Sequence, residues 1–398
     1  MAKRREVDKL SELLANFNGD LLGDDLPRQF TDDSIKVERI VLDLVRPDPV
    51  QPRRVLPDRV HHAFHNNQLT PSQALREVVQ IAQVAARQRG RPFSNLLELL
   101  PDPERDEEPD IKLTPEEILL RDLVNLAVTI RDDGQVNPIT VIDVTQGVIR
   151  MYRIETGERR YWAAWLLRDF LPGYEGDGML DCIVVPATSA TVFRQAKENT
   201  ARSGLSAVAM ARQAALLLLY VHGYEIPTYP VTNDFYRQAL ELDLKGKREF
   251  TPAIYAAMGG MDKKRFSRYK SLLRLADDAM ELADRHRIDE ARLRYVVQLD
   301  PLDQIELIHQ IVQFDLSRKQ VQELIENFGE DPNQRIDDEP HSRPVIQLAK
   351  IMNSKNLPDP RGLASYLMSQ EQNTNLARAR LQTLREILSQ AEKYLANQ

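Results

Sequence analysis

A change of apolar period part-way along the chain constrains its fold more than any other feature. Up to about residue 190, short β-type runs alternate with helical stretches; from Val192 onward the spacing is almost wholly helical. That predicts an α+β class: a small mixed sheet in the first half, then an all-α second half. Strands are expected at Lys36–Leu44, Ile139–Val144, Met151–Glu155 and Leu180–Val185. Thr114-Pro115-Glu116-Glu117 has capping-box spacing with proline at the first helical position, and the helix it opens should end near Arg131, with Gly134 as its C-cap. At 398 residues the chain is long for one domain. The expected division is a tether at 1–35 with a short helix near Val7–Phe17, an α+β domain over 36–190, a helical domain over 191–315 and a helical region over 316–398. The segment 56–113 interrupts the α+β domain with one helix, opened by Thr70-Pro71-Ser72-Gln73. From Pro101 to Glu117 it carries eight acidic and two basic residues, the pattern of a solvated linker.

Several function classes drop out on composition. No apolar run reaches the roughly 18–20 residues that span a bilayer, and MAKRREVDKL has no apolar core of a secretory signal. The single cysteine, Cys182, excludes a disulfide framework and points to a reducing, cytoplasmic setting; in LDCIVV it reads as core filling. His61, His62 and His65 have no carboxylate or cysteine at metal spacing beside them. A net charge of −7 excludes a globally basic coat but not a local basic patch.

Four segments carry chemistry. Thr156-Gly157-Glu158-Arg159-Arg160 joins a strand to a helix through glycine. Unpaired helix N–H groups and two first-turn arginines suit a phosphate; arginines paired with nearby carboxylates explain them equally well. Gln51-Pro52-Arg53-Arg54 lies in extended chain and alone reads as a surface loop with solvated arginines. In Lys197–Arg202, Glu198 and Asn199 offer adjacent oxygens for a hard cation such as Mg²⁺, and Arg202 could reach a phosphate; alone, it reads as an ordinary helix. Last, Thr251-Pro252 opens a short helix, Gly259-Gly260 turns, and Asp262 caps a second helix. Lys245–Arg274 holds nine basic and two acidic residues. Lys263, Lys264, Ser267, Arg268 and Ser271 would form the exposed face of a DNA-recognition helix, with Phe266, Tyr269, Leu272 and Leu273 inward; a solvated basic helix is the alternative.

Taken in chain order, Gln51–Arg54, LRDLVNLAVTIRDDGQVNPITV, Thr156–Arg160, Lys197–Arg202 and the two-helix segment resemble the ParB family of partition proteins over about 36–55 and 120–300. The resemblance implies a cytoplasmic, nucleoid-associated homodimer that binds CTP and Mg²⁺ and closes as a clamp on double-stranded DNA at a parS-like site, with a ParA-type ATPase as partner. Carried over by position, Gln51 and Arg53 would contact nucleotide, Thr156, Gly157, Glu158, Arg159 and Arg160 would cradle the triphosphate, with Glu158 near the hydrolytic centre. Glu198 and Asn199 would hold Mg²⁺, and Arg202 would meet phosphate. Two positions depart from the family pattern: Trp162 stands in place of an arginine and Ala201 in place of a glutamine. Both remove polar groups near the phosphates, so hydrolysis should suffer more than binding; the alternative is that both positions lie on the core side of their helices, where Trp162 packs beside Trp165. The insertion 56–113 changes the setting of the first motif, and Lys3, Arg4 and Arg5 only faintly echo the family's arginine-rich start. A sulfiredoxin reading would need a cysteine at Glu158. Nuclease chemistry has no distinct motif here, and a duplex-binding helix argues against a kinase. The rival is a ParB-like regulator or nucleoid-occlusion-type protein with a degenerate pocket. Near the end of the chain, Leu381, Leu384, Leu388, Ala391 and Leu395 form a seam for a dimer or for a packed core helix.

Overall fold

The computed structural model describes residues 36–101, 113–174, 176–186, 192–201, 204–328, 360–371 and 374–396. The expected helix near Val7–Phe17, most of the acidic linker and Arg202 lie outside these residues. The fold is α+β, with two compact units. One takes in the described residues up to Leu205 together with Arg212–Ser267; the other is Ser206–Ala211 with the described residues from Arg268 on.

The first unit holds a five-stranded mixed sheet in the order β1-β5-β3-β4-β2. Its strands are β1 (Val37–Val41), β2 (Val45–Arg46), β3 (Ile139–Asp143), β4 (Tyr152–Thr156) and β5 (Met179–Val185). β1–β5 and β3–β4 pair antiparallel; β5–β3 and β4–β2 pair parallel. The central β3 is buried at Ile139, Thr140, Val141 and Ile142, which is why it reads as a nearly unbroken apolar run. The strand expected over Lys36–Leu44 ends at Val41, and a second short strand, Val45–Arg46, follows on the opposite edge of the sheet. A 3-10 turn at Leu42–Leu44 redirects the chain, fixed by the Leu42 N–H donating to the Gly178 carbonyl at 2.9 Å. Burying both Leu42 and Val45 drives that crossing.

Against this sheet pack α1 (Asp58–His65), α2 (Pro71–Gln88), α3 (Pro115–Asp133) and α4 (Glu158–Phe170). Thr70 and Thr114 cap α2 and α3 through complete capping boxes, and Gly134, at φ 77°, ends α3. The segment 56–113 is no mere interruption. It contributes two α-helices, and Val60, Phe64, Leu75, Val78 and Ala82 are buried in the same core as Trp162, Leu166 and Ile154. Helix α1 lacked a start signal because Pro57 precedes it and no side chain caps it. Glu117 is buried and ion-paired with Arg89, so the acidic run ends in structure. Cys182 fills core space on β5, and burial pushes its thiol up to about 12. His61 is buried against the ring of His65, 4.4 Å between centroids. Burial holds both imidazoles neutral, with His65 down to about 4.

Next come α5 (Val192–Ala201), α6 (Ala207–Val221), α7 (Asn233–Arg237), α8 (Thr251–Ala257) and α9 (Lys263–Ser271). The division between the units falls inside α6 and α9. α5 packs on β4 and on α8. Two half-buried hydrogen bonds tie α5 to neighbours within the first unit: Thr200 Oγ1 donates to the Ala257 carbonyl at 2.9 Å, and Gln213 Nε2 donates to Thr200 Oγ1 at 2.9 Å. The second unit is helical: α10 (Asp277–Arg285), α11 (Glu290–Val296), α12 (Pro301–Phe314), α13 (Arg318–Phe328), α14 (Pro360–Glu371) and α15 (Thr374–Ala396). α15 packs on α12 and α14, burying Leu376, Ala377 and Ala379. Further along α15, Leu381, Leu384 and Leu388 stay more than a third exposed.

Candidate nucleotide site

Parallel pairing of β2 with β4 decides where the first motif goes. From Arg46 the chain continues alongside the end of β4, and Gln51 donates from Nε2 to the Glu155 carbonyl at 2.9 Å. Gln51 is buried, so that bond fixes it beside Thr156-Gly157. Arg53 follows into the cavity. Arg54 does not lie in solvent as its sequence context suggested. Its side chain is 2% exposed, paired to Asp58 at 2.6 Å, and donates to the Val231 carbonyl at 3.3 Å. Burial works against the Asp58 carboxylate, but Arg54 and Arg212 hold it below its usual range.

Gly157 turns the chain from β4 into α4 at φ +101°, a conformation that glycine adopts without strain. No side chain caps the helix; the Arg160 N–H returns to the Gly157 carbonyl at 2.9 Å, and the N–H groups before it have no partner within the helix. A cavity of about 410 Å³ opens there. Gln51, Arg53, Thr156, Gly157, Glu158, Arg159, Arg160, Glu198 and Asn199, drawn from three separated motifs, all line it. α3 supplies the remaining wall: Asp122, Asn125 and Thr129, with Leu126, and Val55 completes it. The α3 residues were missed in the sequence. Their signal was a polar stripe at i, i+3 and i+7 of that helix.

The charges are arranged for exchange. Arg159 is committed to Asp122 at 2.9 Å. Arg160 donates from Nη1 to the Pro138 carbonyl at 3.4 Å. Two buried polar atoms at the wall, Thr156 Oγ1 and Asn199 Nδ2, have no hydrogen-bond partner among the described residues. Buried polar groups are nearly always partnered, so this wall suits a polar ligand. Glu155, one residue before Thr156, is buried and 3.5 Å from Arg194. Burial raises its carboxyl, Arg194 counteracts, and Glu198 adds to the rise. The oxygens of Glu198 and Asn199 suit a hard cation bound together with phosphates.

Glu158 is the best enclosed acid of the cavity, 8% exposed. Burial pushes its carboxyl up to about 7; the Trp162 hydrogen bond and Arg53 oppose the rise, and Asp48 adds to it. Trp162 therefore does not simply remove a polar group, as its sequence position suggested. Its Nε1–H donates to Glu158 Oε1 at 3.0 Å. Ala201 is exposed. A raised acid costs stability once ionised. The folded state holds the Glu158 proton up to about 7, whereas the unfolded chain releases it near 4.5, so stability falls as pH rises through that window. Glu158→Gln, which keeps an acceptor for the indole, should raise the thermal midpoint at pH 8 and leave it nearly unchanged at pH 4. Equal shifts at both pH values would show that Glu158 is not held protonated.

The basic helix is built as expected in part. Gly259 and Gly260, at φ 80° and 73°, make the turn after α8, and Asp262 accepts the Arg265 N–H at 2.7 Å to cap α9. Tyr255 and Phe266 pack 5.7 Å apart across the turn. Lys263, Lys264 and Ser267 are exposed, as is Arg265. Arg268 and Ser271 are half-buried, and the Ser271 hydroxyl donates to the Arg268 carbonyl. Phe266, Leu272 and Leu273 are buried; Tyr269 is half-buried.

No family model and no curated protein matches the chain. Among solved structures it is similar to the C-terminally truncated chromosome-partitioning protein ParB from Caulobacter crescentus. The form complexed to the centromeric parS site matches at 17% identity over 58% of this chain and 97% of that one, with a TM-score of 0.27. The form complexed with CTP-gamma-S matches at 17% identity over 70% and 99%, with a TM-score of 0.21. No helix among the described residues is long and apolar enough to cross a membrane.

Proposed function

We propose that the chain is a ParB-like, CTP-dependent DNA-binding clamp that acts in chromosome or plasmid partition through a specific centromere-like site. The observation that carries this reading is the convergence of Gln51-Arg53, Thr156–Arg160 and Glu198-Asn199 on one cavity at a glycine-started helix. Arg53, Arg159 and Arg160 bind the phosphates, with the first N–H groups of α4. Glu198 and Asn199 hold Mg²⁺, which neutralises phosphate charge when bound. Glu158 is the acid nearest the reacting end. The exposed basic start of α9 takes DNA phosphates, and the turn of two glycines sets its angle to α8. The leucine stripe of α15 fits a second copy of the chain, and a ParA-type ATPase is the expected partner of the assembled clamp.

Calorimetry with CTP, ATP, GTP and UTP, each with Mg²⁺ and with or without genomic DNA fragments, tests the reading. CTP preference with binding below millimolar is expected; no CTP binding at millimolar nucleotide ends it. A ParB-like transcription regulator or nucleoid-occlusion-type protein with a degenerate nucleotide pocket is the second reading, favoured by the Trp162 hydrogen bond that engages Glu158. A degenerate pocket would bind no CTP, so the same titrations separate the two.

On DNA, replacing exposed Lys263 by alanine should weaken binding to all sequences alike and flatten the salt slope by about one. A loss confined to one sequence would instead make Lys263 a base reader.

A further inference from the structure

We propose that Trp162 is a positioning residue: its indole N–H holds the Glu158 carboxyl group in place and so limits nucleotide turnover, and Phe64 in turn holds the indole. The proposal rests on the nucleotide reading of the cavity. Glu158 and Trp162 lie one turn apart on α4, so their side chains share a face. The 3.0 Å bond joins two buried groups. Trp162 is wholly enclosed, with the Tyr161 ring 5.0 Å away on one side and the Phe64 ring 5.0 Å away, edge to face, on another. Phe64 comes from α1, inside the segment 56–113. That segment therefore reaches Glu158 through one intervening ring.

The bond acts as a restraint. A buried indole N–H has a single hydrogen to donate, and turning Glu158 toward the cavity would leave it unpartnered. Hydrolysis of a nucleoside triphosphate forms a bond from a water oxygen to the terminal phosphorus and breaks the bond to the bridging oxygen. The water's proton needs a base, and an ionised Glu158 free to face that water would take it. The groups facing its carboxyl are Trp162, Arg53 and Asp48; the other acids lining the cavity are Asp122 and Glu198.

The test uses the full chain with Mg²⁺, DNA and CTP. Trp162→Phe keeps the ring and removes the donor. Its CTP affinity should change less than about threefold, its turnover at the high-pH plateau should rise about tenfold, and the pH midpoint of turnover should move up by about one unit, since the lost bond favoured the ionised carboxyl. In a ¹⁵N-indole spectrum the Trp162 N–H signal of the native chain should titrate near pH 7 and stop titrating in Glu158→Gln. Phe64→Leu should shift turnover the same way by less, and it carries the test if Trp162→Phe fails to give a cooperative thermal melt. Native plateau and midpoint in the variant that folds overturn the proposal, as does an indole signal indifferent to Glu158→Gln. If the native chain binds no CTP, the nucleotide reading falls and this proposal with it; if it binds CTP and only the variants are silent, the proposal alone falls.

Discussion

Gly157→Val should abolish nucleotide binding and destabilise the first unit. The backbone there has φ +101°, and a Cβ would sit 3.2 Å from Ile139 Cγ1 and Cγ2 and from Arg160 Nη1. The two neighbours differ in how far they can give. Arg160 ends in a movable guanidinium, whereas Ile139 is wholly buried at the centre of the sheet. A β-branched residue in left-handed backbone costs about 1–3 kcal/mol, and overpacking adds about 1–3 kcal/mol. Relief by shifting the start of α4 would move the N–H groups of its first turn, beside the cavity. Thermal unfolding should show a drop on the order of 5–15 °C, and calorimetry should show no heat of CTP binding. Gly157→Ala, smaller and unbranched, should lie between. A valine variant with native melting and native affinity would mean that the turn does not shape the site.

Arg160→Ala should weaken CTP binding by about 10–150-fold, equivalent to roughly 1.5–3 kcal/mol for a hydrogen bond to a charged group. Arg160 stands in the first turn of α4, where a cation is unfavourable to the helix dipole and an anion offsets it. Its Nη1 donates to the Pro138 carbonyl at 3.4 Å, and its side chain lines the cavity. Arg159 differs: to bind ligand it must leave Asp122, 2.9 Å away. Breaking that pair should hold the cost of removing Arg159 below the range for a hydrogen bond to a charged group. Titration calorimetry of both variants, with circular dichroism to check the fold, measures the order. An Arg159 loss larger than that of Arg160 would place the phosphates on the Asp122 side of the cavity.

Much of the site is local and was legible. A glycine between a strand and a helix, followed by two arginines, is written in consecutive residues. So are the capping boxes of Thr70 and Thr114 and the Gly259-Gly260 turn, because their partners lie three or four positions away. Those signals located α2, α3, α4 and α9 without any long-range contact. Phe64 and Trp162 carry no such signal. They lie far apart in sequence, and the hydrogen bond of the indole depends on which face of α4 is buried. Read locally, Trp162 was an apolar substitute for a polar residue; in the fold it is the donor to Glu158. Arg53 and Arg54 are adjacent and chemically alike, yet one lines the cavity and the other is buried on Asp58.

By itself, the sequence determined the class of fold, the turns and caps, and the residue types needed to hold a charged ligand. These follow from backbone propensity and from interactions within one or two helical turns. Tertiary structure decided that β1 and β2 take opposite edges of the sheet, which carries Gln51 to the end of β4. It also decided that α3 walls the cavity with Asp122, and that the segment 56–113 belongs to the core. Each of these outcomes joins residues distant along the chain. They are selected by how much apolar surface the whole unit can bury at once, a quantity that no local stretch of sequence contains.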